Sequence, residues 1–237
     1  MYIHNFLYGV YPYIALSVFL IGSLLRFDRE QYTWKSDSSQ LLSKANMRVA
    51  SNLFHVGVLM IFLGHLFGLL IPHAVFGALH ISDMLHQWVA IVVGAVFGVI
   101  AIIGAIMLWL RRMFNPRVSA ASRGSDKFIL TWLLLTLLLG LCTVPVSIGH
   151  ANAGHAETVL ALTGWVQSIV YLHPNPALLA DVDFVFKLHI FFGLTVFLVF
   201  PFTRMVHVWS GFGTAAYLFR PYQLVRTRHV KNLPSGN

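Results

Sequence analysis

Of 237 residues, 57% are hydrophobic, while 16 basic and 8 acidic side chains give a net charge of +8. So few polar groups cannot cover that much apolar surface in water, which excludes a soluble globular enzyme, a disordered chain and a disulfide-stapled secreted module. The composition is that of an integral membrane protein.

Windows free of Asp, Glu, Lys and Arg mark the spans, because a bilayer core is crossed by roughly 20 consecutive apolar residues in helical form. The first window runs from about Phe6 to Leu25. Met1 to Asn5 lacks a basic n-region and the window is followed by Arg26 and Arg29, so it is expected to stay as an uncleaved anchor. The second runs from about Ala50 to Ile71, the third from Leu85 to Leu110 and the fourth from Phe128 to Ile148. The segment from Gly149 to Asp183, with Gly154, Pro174 and Pro176, is the longest structureless candidate. A fifth window, from about Phe184 to Trp209, holds Lys187 near its start and Arg204 near its end, where long cationic side chains snorkel to the headgroups. The expected fold class is all-α, five transmembrane helices in a single membrane domain over residues 1–237, with a basic tail at 210–237.

Orientation follows from the basic residues. The first connection holds Arg26, Arg29, Lys35, Lys44 and Arg48; the third holds Arg111, Arg112, Arg117, Arg123 and Lys127; the end of the fifth window and the tail hold Arg204, Arg220, Arg226, Arg228 and Lys231. The other side has only Lys187, so the positive-inside bias puts the C-terminus in the cytoplasm and the N-terminus outside. This charge needs no nucleic-acid partner. Tyr2, Tyr8, Tyr32, Trp34, Trp88, Trp165, Trp209 and Tyr217 read as interfacial anchors.

The lone cysteine, Cys142, rules out an intramolecular disulfide, a Cys-rich zinc site and an iron–sulfur cluster within this chain. Of twelve histidines, four lie at membrane depth: His55 and His65 on the second helix, His189 and His207 on the fifth. The two helices run antiparallel, so depth pairs His55 with His207 toward the cytoplasm and His65 with His189 toward the outside. On ideal straight helices the first two are separated by about 15 Å of rise and the last two by about 27 Å, a mismatch that tilt or a kink at Pro201 would reduce. Two facing imidazoles, twice, fit two stacked bis-histidine hemes, and the absence of Cys-x-x-Cys-His makes them non-covalent b type. Gly57, Gly64, Gly68 and Gly193 would let a flat macrocycle approach the backbone. On spacing alone, interhelical hydrogen bonding, proton-relay histidines and a metal transporter are the alternatives. The transporter suffers because the helix cores contain no carboxylate. The remaining histidines, in outer loops and near the termini, read as solvated polar residues.

Several runs carry a family resemblance: Tyr11-Pro-Tyr-Ile-Ala15, Phe19-Leu-Ile-Gly-Ser23, Gln31-Tyr-Thr-Trp34, Ala50-Ser-Asn-Leu-Phe-His55, Gly64-His65 with Gly68 and Pro72-His73, Gly164-Trp165 with Gln167-Ser168, Phe200-Pro-Phe202 with Arg204 and His207-Val-Trp209, and Tyr222-Gln-Leu-Val-Arg226. Together they resemble the gamma (cytochrome b) subunit of respiratory nitrate reductase, from about the first helix to the tail. The resemblance implies a five-helix diheme cytochrome b of a bacterial or archaeal cytoplasmic membrane. Such a subunit oxidises quinol near the outer face and passes electrons to an iron–sulfur subunit and a molybdenum-containing catalytic subunit on the cytoplasmic side. An assembly of two such heterotrimers is compatible with it. The distal heme ligands of the family match His65 and His189, and the proximal ones match His55 and His207. Family members often carry a lysine before the third helix that is implicated in quinol binding; here that neighbourhood reads Asp83-Met-Leu-His-Gln-Trp88, and His86 is the nearest substitute. Gly64, His65 and His86 are therefore the candidate quinol residues. Arg111, Arg112 and Arg204, at cytoplasmic helix ends, are candidate partners for heme propionates, although orientation explains them as well. A purely structural membrane anchor that docks soluble subunits is the alternative function.

Overall fold

A backbone in hydrocarbon must bond to itself, and four of the five windows do so as continuous helices, the fifth only over its first part. The computed structural model describes residues 2–30 and 46–209. Helices long and apolar enough to cross a membrane occupy Tyr2–Arg29, Met47–Leu70, Asp83–Phe114, Gly124–Asn152 and Phe184–Phe202. Most overrun the charge-free windows, because charged residues at the interface continue a helix as readily as apolar ones. The basic tail, the runs Gln31–Trp34 and Tyr222–Arg226, and the cations Lys35, Lys44, Arg220, Arg226, Arg228 and Lys231 lie outside the described residues.

The helices that matter are α1 (Tyr11–Glu30), α2 (Met47–Leu70), α3 (Asp83–Phe114), α4 (Gly124–Asn152), α5 (Glu157–Val170) and α6 (Phe184–Val199). Local chemistry sets their ends. Ser82 caps α3 by accepting from the Leu85 N–H at 3.2 Å, and Asp83 lies in its first turn. At the other end Arg111 and Arg112 occupy the last turn and Asn115 leaves the helix extended ahead of Pro116. At the head of α4 the Asp126 carboxylate accepts from the Arg123 N–H and pairs with the Arg112 guanidinium at 3.0 Å, both side chains being nearly buried. This ion pair ties α3 to α4 at the end of the bundle that carries Arg26, Arg111, Arg112 and Arg204, hereafter the basic end.

Packing runs α2 on α3, α3 on α4, α4 on α6 and α6 on α1. The α2–α3 contact is a seam of small residues: Ala50, Ala101 and Ala105 are buried, a Cβ on Gly57 would lie 2.6 Å from the Ala101 N, and one on Gly104 would run into the Phe54 backbone. Gly57 thus serves helix packing; it does not make room for a macrocycle. Aromatic stacking holds α4 to α6, with the Trp132 and Phe192 rings 4.3 Å apart and the Trp132 indole donating to the Phe192 carbonyl at 3.1 Å.

Two expectations are corrected. The segment from Gly149 to Asp183 is not structureless: it folds back as α5 and a 3₁₀ turn, Pro176–Leu179, at the end opposite the basic one. Tyr8, Trp165, Ile169, Leu179, Val182 and Phe186 form a buried cluster there, and the Trp165 indole donates to the Tyr8 carbonyl, in the π-helical turn Phe6–Val10, at 2.8 Å. Tyr8 and Trp165 are therefore core residues, contrary to their reading as interfacial anchors. The cluster is amphipathic loop sequence whose apolar face has a helical floor to cover, a fact invisible without the neighbours.

The second correction concerns the fifth span. The helix does not continue to Trp209; α6 ends at Val199, and Phe200–Phe202 and Arg204–Val206 are 3₁₀ turns separated by an extended Thr203 (φ −121°, ψ 176°). Pro201 lacks the N–H of a helical hydrogen bond, and its ring disfavours helical continuation.

Candidate functional site

The break at Pro201 removes the depth mismatch expected of straight helices. His55 on α2 and His207 beyond the break face one another with ring centroids 6.2 Å apart, and His65 on α2 and His189 on α6 do so at 6.1 Å. Both antiparallel pairs read from the sequence are formed.

Each imidazole is held in the same manner. His55 Nδ1 donates to the Ser51 carbonyl at 2.7 Å, His65 Nδ1 to the Ile61 carbonyl at 2.8 Å, His189 Nδ1 to the Thr136 carbonyl at 3.1 Å and His207 Nδ1 to the Arg204 carbonyl at 2.6 Å. A carbonyl only accepts, so all four neutral rings carry their proton on Nδ1 and their lone pair on Nε2. That is the arrangement of metal-ligating histidines, whose second nitrogen is oriented by a backbone or carboxylate oxygen.

The spacing also fits. Two imidazoles that held one metal ion between them, at a metal–nitrogen bond of about 2.0–2.1 Å with each centroid roughly 1.1 Å behind its nitrogen, would stand with centroids about 6.3 Å apart. The two observed separations lie within 0.2 Å of that figure. Among the described residues no three His, Cys, Asp or Glu side chains gather to hold a metal. His55 and His65 are exposed, and a Cβ on Gly64 or Gly193 would meet nothing within 4 Å, so the described residues leave the space beside these positions unfilled. Two residues of α4 complete the His189 position and were not legible beforehand. Thr136 supplies the carbonyl, and a Cβ on Gly140 would lie 3.0 Å from His189 Cε1, so only glycine leaves the ring undisturbed. Neither residue is chemically distinctive; their role depends on α4 lying beside α6.

At the end opposite the basic one, the short helix His73–Ala78 lays Phe76 on the His86 ring, with centroids 4.4 Å apart, and His73 Nε2 meets the Asp83 carboxylate at 2.6 Å. A Cβ on Gly68 would lie 3.5 Å from His86 Nε2, so Gly68 faces His86, and one turn further along α2 are Gly64 and His65. The three candidate quinol residues thus share one end of the bundle within about a helical turn. Other histidines read as solvated also have partners: His4 meets the Pro176 carbonyl at 2.8 Å, and His150 meets Thr158 and Asp183. Of the three arginines, Arg112 is committed to Asp126, Arg204 offers its carbonyl to His207, and Arg111 lies in the last turn of α3.

Comparison with known proteins identifies the family. A family model described as nitrate reductase gamma subunit matches residues 4–228. The chain is 45% identical over 229 residues to the respiratory nitrate reductase 1 gamma chain of Escherichia coli (strain K12), covering 96% of this chain and 99% of that one. It is 46% identical over 228 residues to the respiratory nitrate reductase 2 gamma chain of the same strain, with 96% and 98% covered. The nitrate reductase gamma chain of Bacillus subtilis (strain 168) is 36% identical over 222 residues, with 94% and 97% covered. With the match running nearly end to end and the paired histidines in place, the chain belongs to the nitrate reductase gamma subunit family.

Proposed function

We propose that this chain is the diheme cytochrome b subunit of a nitrate reductase-type complex: a multi-pass protein of the cytoplasmic membrane that oxidises quinol near the outer face and delivers its electrons to iron–sulfur and molybdenum subunits on the cytoplasmic side. The observation that carries the reading is the set of four intramembrane imidazoles, each held by a carbonyl at Nδ1 and facing a partner at the separation a bis-imidazole iron requires. His55 and His207 hold the inner b-type heme, and His65 and His189 the outer one. When bound, the hemes supply one-electron transfer from one face of the membrane to the other. A merely structural anchor has no use for oriented ligand nitrogens at membrane depth, where each polar side chain is costly.

The protein's own groups do the rest. Fifteen of the sixteen cations lie in the first and third connections and from Arg204 onward in the sequence, and the positive-inside bias assigns that side to the cytoplasm. Quinol then binds at the opposite end beside Gly64 and His65, and His86, stacked on Phe76, takes a quinol proton through its imidazole. Arg111, Arg112 and Arg204, at the basic end, would meet the propionates of the inner heme.

Heme-to-protein ratio and reduced-minus-oxidised spectra of the assembled complex test the reading. The intact complex is expected to show two b-type hemes in this subunit. Replacing His55 or His207 by Ala removes the same heme, and replacing His65 or His189 removes the other. A ratio of two in all four variants overturns the assignment.

A further inference from the structure

The chain leaves α-helical geometry between Val199 and His207, and two backbone carbonyls of that break share one partner. Pro201 has no N–H and Thr203 is extended, so the α-helical hydrogen-bond ladder is interrupted there. One nitrogen of α1, Arg26 Nη1, donates to both: to the Pro201 carbonyl at 2.7 Å and to the Thr203 carbonyl at 3.0 Å. These are charge-assisted bonds to backbone oxygens, stronger than the neutral bonds they replace.

The rest of that face of α1 is fitted to the same segment. Gly22, one turn before Arg26, lies so close to Pro201 that a Cβ there would approach the ring to 2.7 Å. Ser23, buried, accepts from the Trp209 indole at 3.3 Å, and Phe19 packs edge-on against Phe200 with centroids 4.9 Å apart. From Thr203 the path to the ligand is short. The Thr203 hydroxyl accepts from the Met205 N–H at 3.3 Å, and the Arg204 carbonyl orients His207 Nδ1 at 2.6 Å.

We infer that Arg26 is the positioning residue for the inner heme ligand: its guanidinium substitutes for the helical hydrogen bonds lost at Pro201 and sets the break at the angle that presents His207 to His55. The inference rests on the heme reading above. It assigns to a cation at the cytoplasmic end of the first span, a place where orientation alone would explain it, a specific task on a different helix.

The test uses the assembled complex in native membranes, with Arg26→Leu, Arg26→Gln and, as a charge control, Arg29→Leu three residues further on. Heme-to-protein ratio, low-temperature optical difference spectra and the electron paramagnetic resonance signal of each ferric heme are read separately. Arg26→Leu is expected to lose the inner heme or shift its signal, with the outer heme unchanged. Arg26→Gln, uncharged and too short to serve both carbonyls, gives a smaller shift of the same signal and decides the matter if the Leu variant does not assemble. Arg29→Leu leaves both signals as in the wild type. A wild-type inner signal in the Gln variant, equal damage to both hemes, or the same shift from Arg29→Leu overturns the inference. A wild-type complex with no heme in this subunit would instead overturn the reading on which it rests.

Discussion

At the scale of single residues, what separates a ligand histidine from a structural one is which nitrogen holds the proton. His55 and His65 use the carbonyl four residues earlier in their own helix, so their tautomer is set locally by α2 itself. His189 takes the Thr136 carbonyl from α4 instead, which makes its orientation a tertiary property. His86 has a different setting, an aromatic face on one side and glycine on the other, which leaves its Nε2 edge toward α2. Replacing His86 by Leu is expected to slow reduction of the hemes by quinol by about 10²-fold, the usual scale for a lost acid–base group, with both hemes retained. Stopped-flow reduction by a quinol analogue measures it; unaltered kinetics remove His86 from the mechanism.

At the scale of elements, the seam between α2 and α3 sets the depth and azimuth of His55. Gly104 lies against the Phe54 backbone, the residue beside His55, with Ala50 and Ala101 above and below. Replacing Gly104 by Leu forces the two helices apart where neither has slack, an overpacking cost of about 1–3 kcal/mol. The expected outcome is a lower midpoint of thermal unfolding and preferential loss of the His55-ligated heme, followed by heme absorbance during heating. Retention of both hemes with unchanged stability would show that the seam is more compliant than its contacts indicate. The fifth span gives the converse case: a helix broken by Pro201 does what an unbroken one cannot, since straight helices leave the two pairs about 12 Å out of register.

At the scale of the whole molecule, the polarity of the bundle decides whether turnover stores energy. On the proposed orientation, quinol oxidised at the end bearing His86 would release two protons outside, while its two electrons would travel toward the basic end. Moving each charge costs about 2.3 kcal/mol per 100 mV of membrane potential, so the redox drop must exceed this and the difference is conserved. A quinol site beside His55 and His207 would release protons inside and store nothing. Sealed vesicles of known orientation, given quinol as donor and nitrate as acceptor, are expected to release protons on the outer face. Protons on the cytoplasmic face would reverse the assigned end.

The five spans, their alternation and the pairing of His55 with His207 and His65 with His189 were determined by the sequence alone, because charge exclusion from hydrocarbon and the antiparallel course of successive helices are one-dimensional constraints. Only the tertiary structure decided what the neighbours supply. Arg26 serves a break 175 residues away in the chain, Gly140 makes room for the His189 ring, Gly57 closes a helix seam in place of opening a pocket, and the segment taken for a loop folds as α5 over Tyr8. None of these residues is marked by its own chemistry. Each acquires its role from the helix beside it, and which helices lie side by side is settled by packing, which residue type and spacing do not encode.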